Sequence, residues 1–326
     1  MRFRASFVLV LLLMAGACQP GGGGEAADYP ADDISIMAPA DPGGGWDGTA
    51  RAMAQALTDG GVVDTNVEVY NVGGAGGTIG LAQFVGDHQS DPHQLMVMGL
   101  VMVGAIRTND APVDLTEVTP VARLTTEWEA VVVPAASPYE SFQQLVEDFQ
   151  ADPRGISWGG GSAGGTDHIL VALIAKAAGV DPADINYVAH AGGGEAMSAI
   201  LSGAVTAGVS GVSEFADQVE AGQLRWLAVS SDAPIEGVDA PTMTESGLEV
   251  VLSNWRGVVG APAISDEQQD AVVGLVEDMH GTEQWQQALE SNRWTDFLLT
   301  GDEFAQFLEE ERVRVEEVLR EIGLIE

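Results

Sequence analysis

Short apolar runs alternate with stretches of helical spacing along most of this 326-residue chain. The runs Ile34–Pro39, Val67–Val72, Gln94–Gly99, Ala130–Pro134, Gly155–Trp158, Ile185–Val188, Ala204–Ser210, Leu224–Ser230 and Gly257–Ala261 read as strands. Helices are predicted between them over Gly48–Leu57, Ile79–Val85, Ser141–Gln150, Asp167–Ala178, Gly194–Ser202 and Phe215–Ala221. Three more, Asp266–His280, Thr282–Asn292 and Gly301–Ile322, close the chain. In the last of these Phe304, Phe307, Leu308, Val313, Val315 and Val318 supply the apolar positions, and its many glutamates form a solvated face. The alternation predicts an α/β protein of largely parallel sheets flanked by helices.

Two segments break the rhythm. Thr119–Pro134 is one long extended run, and Ser230–Asn254 is rich in Pro, Asp and Glu with little periodicity. Both are expected to cross between lobes. The predicted division is a discontinuous first domain, residues 30–128 plus 240–326, enclosing a second, residues 129–239.

Glycine is concentrated where strand gives way to helix. Pro42-Gly43-Gly44-Gly45-Trp46-Asp47, Gly73-Gly74-Ala75-Gly76-Gly77-Thr78 and Gly159-Gly160-Gly161-Ser162-Ala163-Gly164-Gly165-Thr166 each sit at such a junction, and His190-Ala191-Gly192-Gly193-Gly194 is a fourth. A turn without side chains lets backbone N–H groups point at a ligand, and a helix start favours negative charge there. Several such turns around one crevice would hold an anion with no basic side chain. Asp47 reads equally as the cap of the helix it precedes and as a ligand contact, and Trp46 as crevice wall or core residue. His168, in the first turn of a helix, is disfavoured as a cation by the helix dipole and reads as a neutral hydrogen-bond donor or as a packed histidine.

Composition changes the picture in two ways. Arg2 and Arg4, the uncharged apolar run 5–17 and the small residues before Cys18 have the layout of a secretory leader and resemble a bacterial lipoprotein signal. On that reading residues 1–17 are removed, Cys18 carries lipid, and residues 18–29 form a flexible tether holding the protein outside the cytoplasm on the membrane. Cys18 is the only cysteine, which excludes disulfides within the chain and thiolate metal clusters. Secondly, 49 acidic residues stand against 13 basic ones, of which Lys176 is the only lysine, for a net charge of −36. Nucleic acid is excluded as a partner by that balance. With 46% hydrophobic residues the chain is too apolar for disorder, and acids spread along its length point to adaptation to high salt.

Catalytic machinery is thin. The sequence has no G-x-S-x-G elbow, and His88 and His93 lack the helical spacing of a zinc motif. Gly159, Gly161 and Gly164 fit G-x-G-x-x-G by count, but no acid is clearly placed about 20 residues on. No enzyme activity, metal or cofactor is expected; a secreted Rossmann-like enzyme is the alternative from another class.

Seven segments in order, Ala38–Asp47, Asn71–Gly80, Gly159–His168, His190–Gly194, Leu224–Ser230, Pro241-Thr242 with Glu245, and Trp255–Pro262, resemble the extracytoplasmic solute receptors of tripartite tricarboxylate transporters. The resemblance implies a two-lobed periplasmic-binding-protein-like fold that closes on an organic carboxylate, a di- or tricarboxylate such as citrate, and delivers it to a membrane permease with a large and a small subunit. An aromatic acid or an amino acid is the alternative solute. By position, Gly44, Gly45, Trp46 and Asp47 would line one side of the ligand, and Ser162, Ala163, Gly164, Thr166 and His168 the other. Gly192 and Gly193 would lie beside them, with Thr78 as a further contact.

Overall fold

The computed structural model describes residues 29–326 apart from Ser162, Ala191, Gly192 and Ile322. The residues expected to form a leader and most of a tether, with Cys18, lie outside the described residues. From the start the chain runs β1 (Ile34–Ala38), α1 (Gly45–Asp59), β2 (Val67–Asn71), α2 (Thr78–Asp87), β3 (Gln94–Gly99) and α3 (Leu100–Thr108). A 16-residue strand, β4 (Thr119–Pro134), leads into α4 (Phe142–Ala151), β5 (Ser157–Gly160), α5 (Thr166–Ala177) and β6 (Asn186–Ala189). Next come α6 (Gly193–Leu201), β7 (Ala207–Gly211), α7 (Val212–Glu220) and β8 (Leu224–Val229). The chain ends with β9 (Ser253–Gly260), α8 (Asp266–His280), α9 (Glu283–Asn292), β10 (Thr295–Thr300) and α10 (Gly301–Glu321).

β4 belongs to two sheets. Residues 119–128 pair antiparallel with β9, and residues 122–126 with β10, while 129–132 pair with β7 and 130–134 with β8. The first sheet continues β9–β3–β1–β2 and the second β7–β5–β6. The outer three strands of each are parallel, as βαβ crossovers require. Toward the junction the pairing turns antiparallel, β9 against β3 and β4 against β9 in the first sheet and β4 against both β7 and β8 in the second, so each sheet is mixed. At the junction the Ser230 N–H donates to the Glu129 carbonyl, the Leu252 N–H donates to the Ser230 carbonyl, and the Ser230 hydroxyl donates to the Leu252 carbonyl. The outward and return segments are therefore stitched together at Glu129.

Two elements escape the sequence pattern. α3 is apolar on nearly every side, with Leu100, Met102, Val103, Ala105 and Ile106 buried, so it has no amphipathic period to detect. β10 is short and forms by pairing with β4, a contact remote in sequence. One large apolar cluster passes through both lobes, from Met37, Phe84 and Met98 to Phe149, Trp158 and Leu170. Contact between the lobes is direct: a β-carbon added at Gly104 on α3 would lie 3.1 Å from the Gly164 carbonyl oxygen.

Candidate functional site

The first glycine turn is shaped by its own aspartate. Gly43 takes φ +89°, a conformation cheap only for glycine, and the exposed Gly44 is the N-cap of α1 with no side chain to offer. Asp47 is not that cap. It lies inside the first helical turn, where its Oδ2 accepts the Gly43 N–H at 2.9 Å and Arg51 Nε at 2.9 Å. Its Oδ1 accepts Asn71 Nδ2 at 3.0 Å and Arg51 Nη2 at 2.9 Å. These bonds, Arg51's foremost, hold the Asp47 carboxyl down at about 2 and engage both of its oxygens. The N–H groups of Gly45 and Trp46 lie in the first turn of α1, which has no capping side chain.

The second turn packs on the first. A β-carbon at Gly77 would sit 2.7 Å from the Trp46 ring, and one at Gly99 would sit 3.3 Å from Trp46 Nε1. Trp46 is thus a half-buried wall where the first turn, the second turn and the start of α3 converge. Thr78 is 93% covered, and its hydroxyl donates to the Ala75 carbonyl at 3.0 Å.

The third turn repeats the design. Gly164 takes φ +77°, and Gly165 is the bare N-cap of α5. Asp167 reaches back so that its Oδ2 accepts the Gly161 N–H at 2.6 Å, while His168 Nδ1 accepts the Gly164 N–H at 3.1 Å. That acceptor role leaves the ring proton on Nε2. His168 stacks on Tyr187, 4.2 Å between ring centres, and the Tyr187 hydroxyl donates to the Gly161 carbonyl at 3.0 Å. Burial keeps the imidazole's pKa below its usual value, which favours the neutral ring. His190 folds over the same turn, its N–H donating to the Gly160 carbonyl at 3.1 Å. Ala163 is exposed, whereas Gly164, Gly165 and Thr166 are covered, and Gly193 opens α6. Ser162 and Gly192 lie outside the described residues.

No hydrogen bond joins the first turn to the third among the described residues. What links them is a group of charged side chains that sequence reasoning missed. Arg256 on β9 lies against the start of α1, where a β-carbon at Gly45 would be 2.6 Å from its Nη2. The same Nη2 donates to Glu127 Oε2 on β4 at 2.5 Å. Glu127 Oε1 in turn accepts the Ser213 N–H at 2.9 Å and the Ser213 hydroxyl, at the start of α7 in the other lobe. Two residues along β4, on the same face, the fully buried Glu129 accepts Asn254 Nδ2 at 3.0 Å on Oε1 and lies in hydrogen-bonding reach of Asp167. Glu214 on α7 accepts the Ser210 hydroxyl at 3.0 Å. Burial first, and the neighbouring carboxylates second, push Glu129 well up. Burial is also the leading cause for Asp167, raised to about 6, and for Glu214, raised to about 7. Glu214 itself reaches solvent, and the Asp167 and Glu127 charges act on it in the same upward direction. A sequence signal was present: two acids, one residue apart, interrupt the apolar strand Val121–Val133.

With that geometry in place, comparison with known proteins is informative. The sequence profile described as the tripartite tricarboxylate transporter family receptor, TctC, matches residues 49–324. Protein BugT of Bordetella pertussis is 28% identical over 325 residues, covering 96% of this chain and 95% of its own. The structure of the periplasmic binding protein BugD has 20% identity and a TM-score of 0.78, with 91% of this chain and 99% of that one covered. MatC from Rhodopseudomonas palustris, solved with bound malate, has 20% identity and a TM-score of 0.73, covering 89% and 100%. A second R. palustris protein, solved with adipate, has 22% identity and a TM-score of 0.79, covering 91% and 99%. Uncapped helix starts on strand ends, a two-lobed mixed-sheet fold and a profile match over nearly the whole chain agree: this protein belongs to the TctC family of tripartite tricarboxylate transporter receptors.

Proposed function

We propose that the protein captures an organic carboxylate of the di- or tricarboxylate class, in the manner of citrate, between the starts of α1 and α5. It then presents that solute to a membrane permease. The observation that carries this reading is the matched pair of helix starts: Gly44 and Gly165 are bare N-caps, and the nearby aspartates Asp47 and Asp167 are turned back onto glycine N–H groups. Partial positive charge at two helix ends is thereby left for a ligand. Malate and adipate in two related structures support a carboxylate as the ligand. Gly44, Gly45, Trp46, Ala163, Gly164, Thr166 and His168 supply the lining, with Gly193 beside them and Asp47 and Thr78 holding the turns. Closure of the lobes would couple solute contacts on both sides to the shape a permease recognises. Lipid on Cys18 would keep the receptor at the outer face of the cytoplasmic membrane or in the periplasm. The reading is tested by calorimetry with a panel of organic acids in molar salt. Saturable binding without turnover supports it, and failure of every acid to bind the folded protein removes it.

A further inference from the structure

Glu129 stands where β4 passes from one sheet to the other, and it has no exposed surface. Its Oε1 accepts Asn254 Nδ2 at 3.0 Å, while its buried Oε2 has no ordinary donor among the described residues. Neighbouring donors are committed elsewhere: the Tyr187 hydroxyl donates to the Gly161 carbonyl and Arg256 Nη2 to Glu127. The group within hydrogen-bonding reach is a second carboxyl, that of Asp167. A buried oxygen without a donor is costly, and two carboxylates in contact away from water cannot both stay ionised. One proton held between Asp167 and Glu129 removes both difficulties. Burial, the leading influence on each group, raises both and keeps that proton bound toward neutral pH.

The proton acts on the third glycine turn through Asp167. This residue lies in the first turn of α5, and its Oδ2 accepts the Gly161 N–H at 2.6 Å. A proton shared with Glu129 therefore pins the turn to the strand that joins the lobes. Around the pair are Glu127 on β4, Glu214 on α7, Arg256 on β9, Tyr187 on β6 and the rings of His168 and His190 on the turns themselves. Glu127 and Glu214 add negative charge and favour retention of the proton, whereas Arg256 is engaged by Glu127.

We propose that Glu129 is a positioning residue for the third turn, that it acts by sharing one proton with Asp167, and that solute binding and retention of this proton reinforce each other. The inference rests on the receptor reading above and adds control of the same site by pH. An anionic group arriving at the start of α5 brings negative charge up to the pair and favours its protonated state. By linkage, affinity falls as pH rises and the proton leaves. Asp167 and Glu129 then repel, and the Gly161 turn loses its fixed support.

The test is calorimetry in molar salt with malate and with adipate, stepped from about pH 6 to about pH 8.5, where both acids are ionised, in buffers of different ionisation enthalpy. The parent should take up a fraction of a proton on binding and lose about tenfold in affinity across that range. Glu129→Gln puts an amide N–H in place of the shared proton and keeps an oxygen for Asn254. It should bind as the parent does at the acid end, with a flat profile and no proton uptake. Asp167→Asn, whose amide oxygen can still take the Gly161 N–H, gives the same flat profile and carries the test if Glu129→Gln fails to fold. Without solute, the infrared difference between the parent and either variant should show a protonated-carboxyl band that disappears as pH rises. Absence of that band overturns the inference and leaves the receptor reading standing. So does a pH dependence that survives in both variants, since it then belongs to His168 or His190. Binding of no acid at any pH overturns the receptor reading instead, while the infrared band still decides the shared proton.

Discussion

Arg256 and Glu127 form an ion pair of 2.5 Å, Nη2 to Oε2, with only 7% and 1% of their side chains exposed. The pair ties the start of α1 to the start of α7, because Arg256 abuts Gly45 and Glu127 accepts from Ser213. Removing one member leaves the other charged and dry. Arg256→Met is therefore expected to destabilise the protein by about 3–5 kcal/mol. The double variant Arg256→Met/Glu127→Leu should recover a good part of that loss. Urea unfolding of the three proteins in one buffer checks it, and equal losses for single and double variants would contradict the assignment.

The bare cap at Gly44 makes an unusual prediction about stability and binding. Gly44 has φ −83° and ψ 172°, open to any residue, and an added β-carbon would meet only the Asp41 carbonyl, at 3.6 Å. Gly44→Asp should supply the missing cap, raising stability by a few tenths of a kcal/mol, while its carboxylate occupies the helix start and displaces the solute's. Stability up and affinity down, in the same variant, is the outcome expected from melting curves and calorimetry.

Its neighbour behaves differently. A β-branched side chain at Gly45 runs into the buried guanidinium of Arg256, and any side chain at Gly164 meets φ +77° and Thr108 at 3.0 Å. Gly45→Val and Gly164→Ala should each cost about 1–3 kcal/mol in the absence of solute. These variants report on folding as much as on binding, and unfolding without solute measures the first part.

The acid group gives stability a definite dependence on pH. Asp167 titrates at about 6 and Glu214 at about 7 in the folded protein, above the ordinary carboxylate range. Between about pH 4 and pH 7 the folded state binds more protons than the unfolded chain, so this contribution to stability falls as pH rises. Asp47 works in the opposite sense and in a lower window: at about 2 when folded, its contribution is full above the ordinary range and is lost as pH falls toward 2. Melting temperature followed through neutral pH should decline in the parent and decline less in Glu214→Gln.

Net charge of −36 gives the last prediction. At about 1 M salt the Debye length is roughly 3 Å, and repulsion among surface carboxylates is nearly silenced. The melting temperature should climb steadily from dilute buffer to molar salt. A flat profile would remove the argument for adaptation to salt.

Local chemistry made the glycine turns legible. A turn needing φ above zero, as at Gly43 and Gly164, is a property of a few consecutive residues, whereas the missing cap of α1 was not legible, since Asp47 read equally as one. The strands β1, β2 and β3 and the helices α8 and α9 were readable for the same reason, since hydrophobic period is local. Asp47 shows the limit: its position near a helix start was visible, but its partner Asn71 arrives only when β2 lies beside β1.

From the sequence alone come the alternating α/β order, the long extended run Thr119–Pro134 and the glycine turns at strand-to-helix junctions, because each follows from backbone preference over a short span. Only the tertiary structure decided that Glu127 meets Arg256 and that Glu129 meets Asp167. Those encounters depend on antiparallel pairing of β4 with β9 and β7, between residues as far apart as Glu127 and Arg256. Charge becomes chemically distinctive when it is buried beside another charge, and burial is settled by packing, not by any one segment's composition.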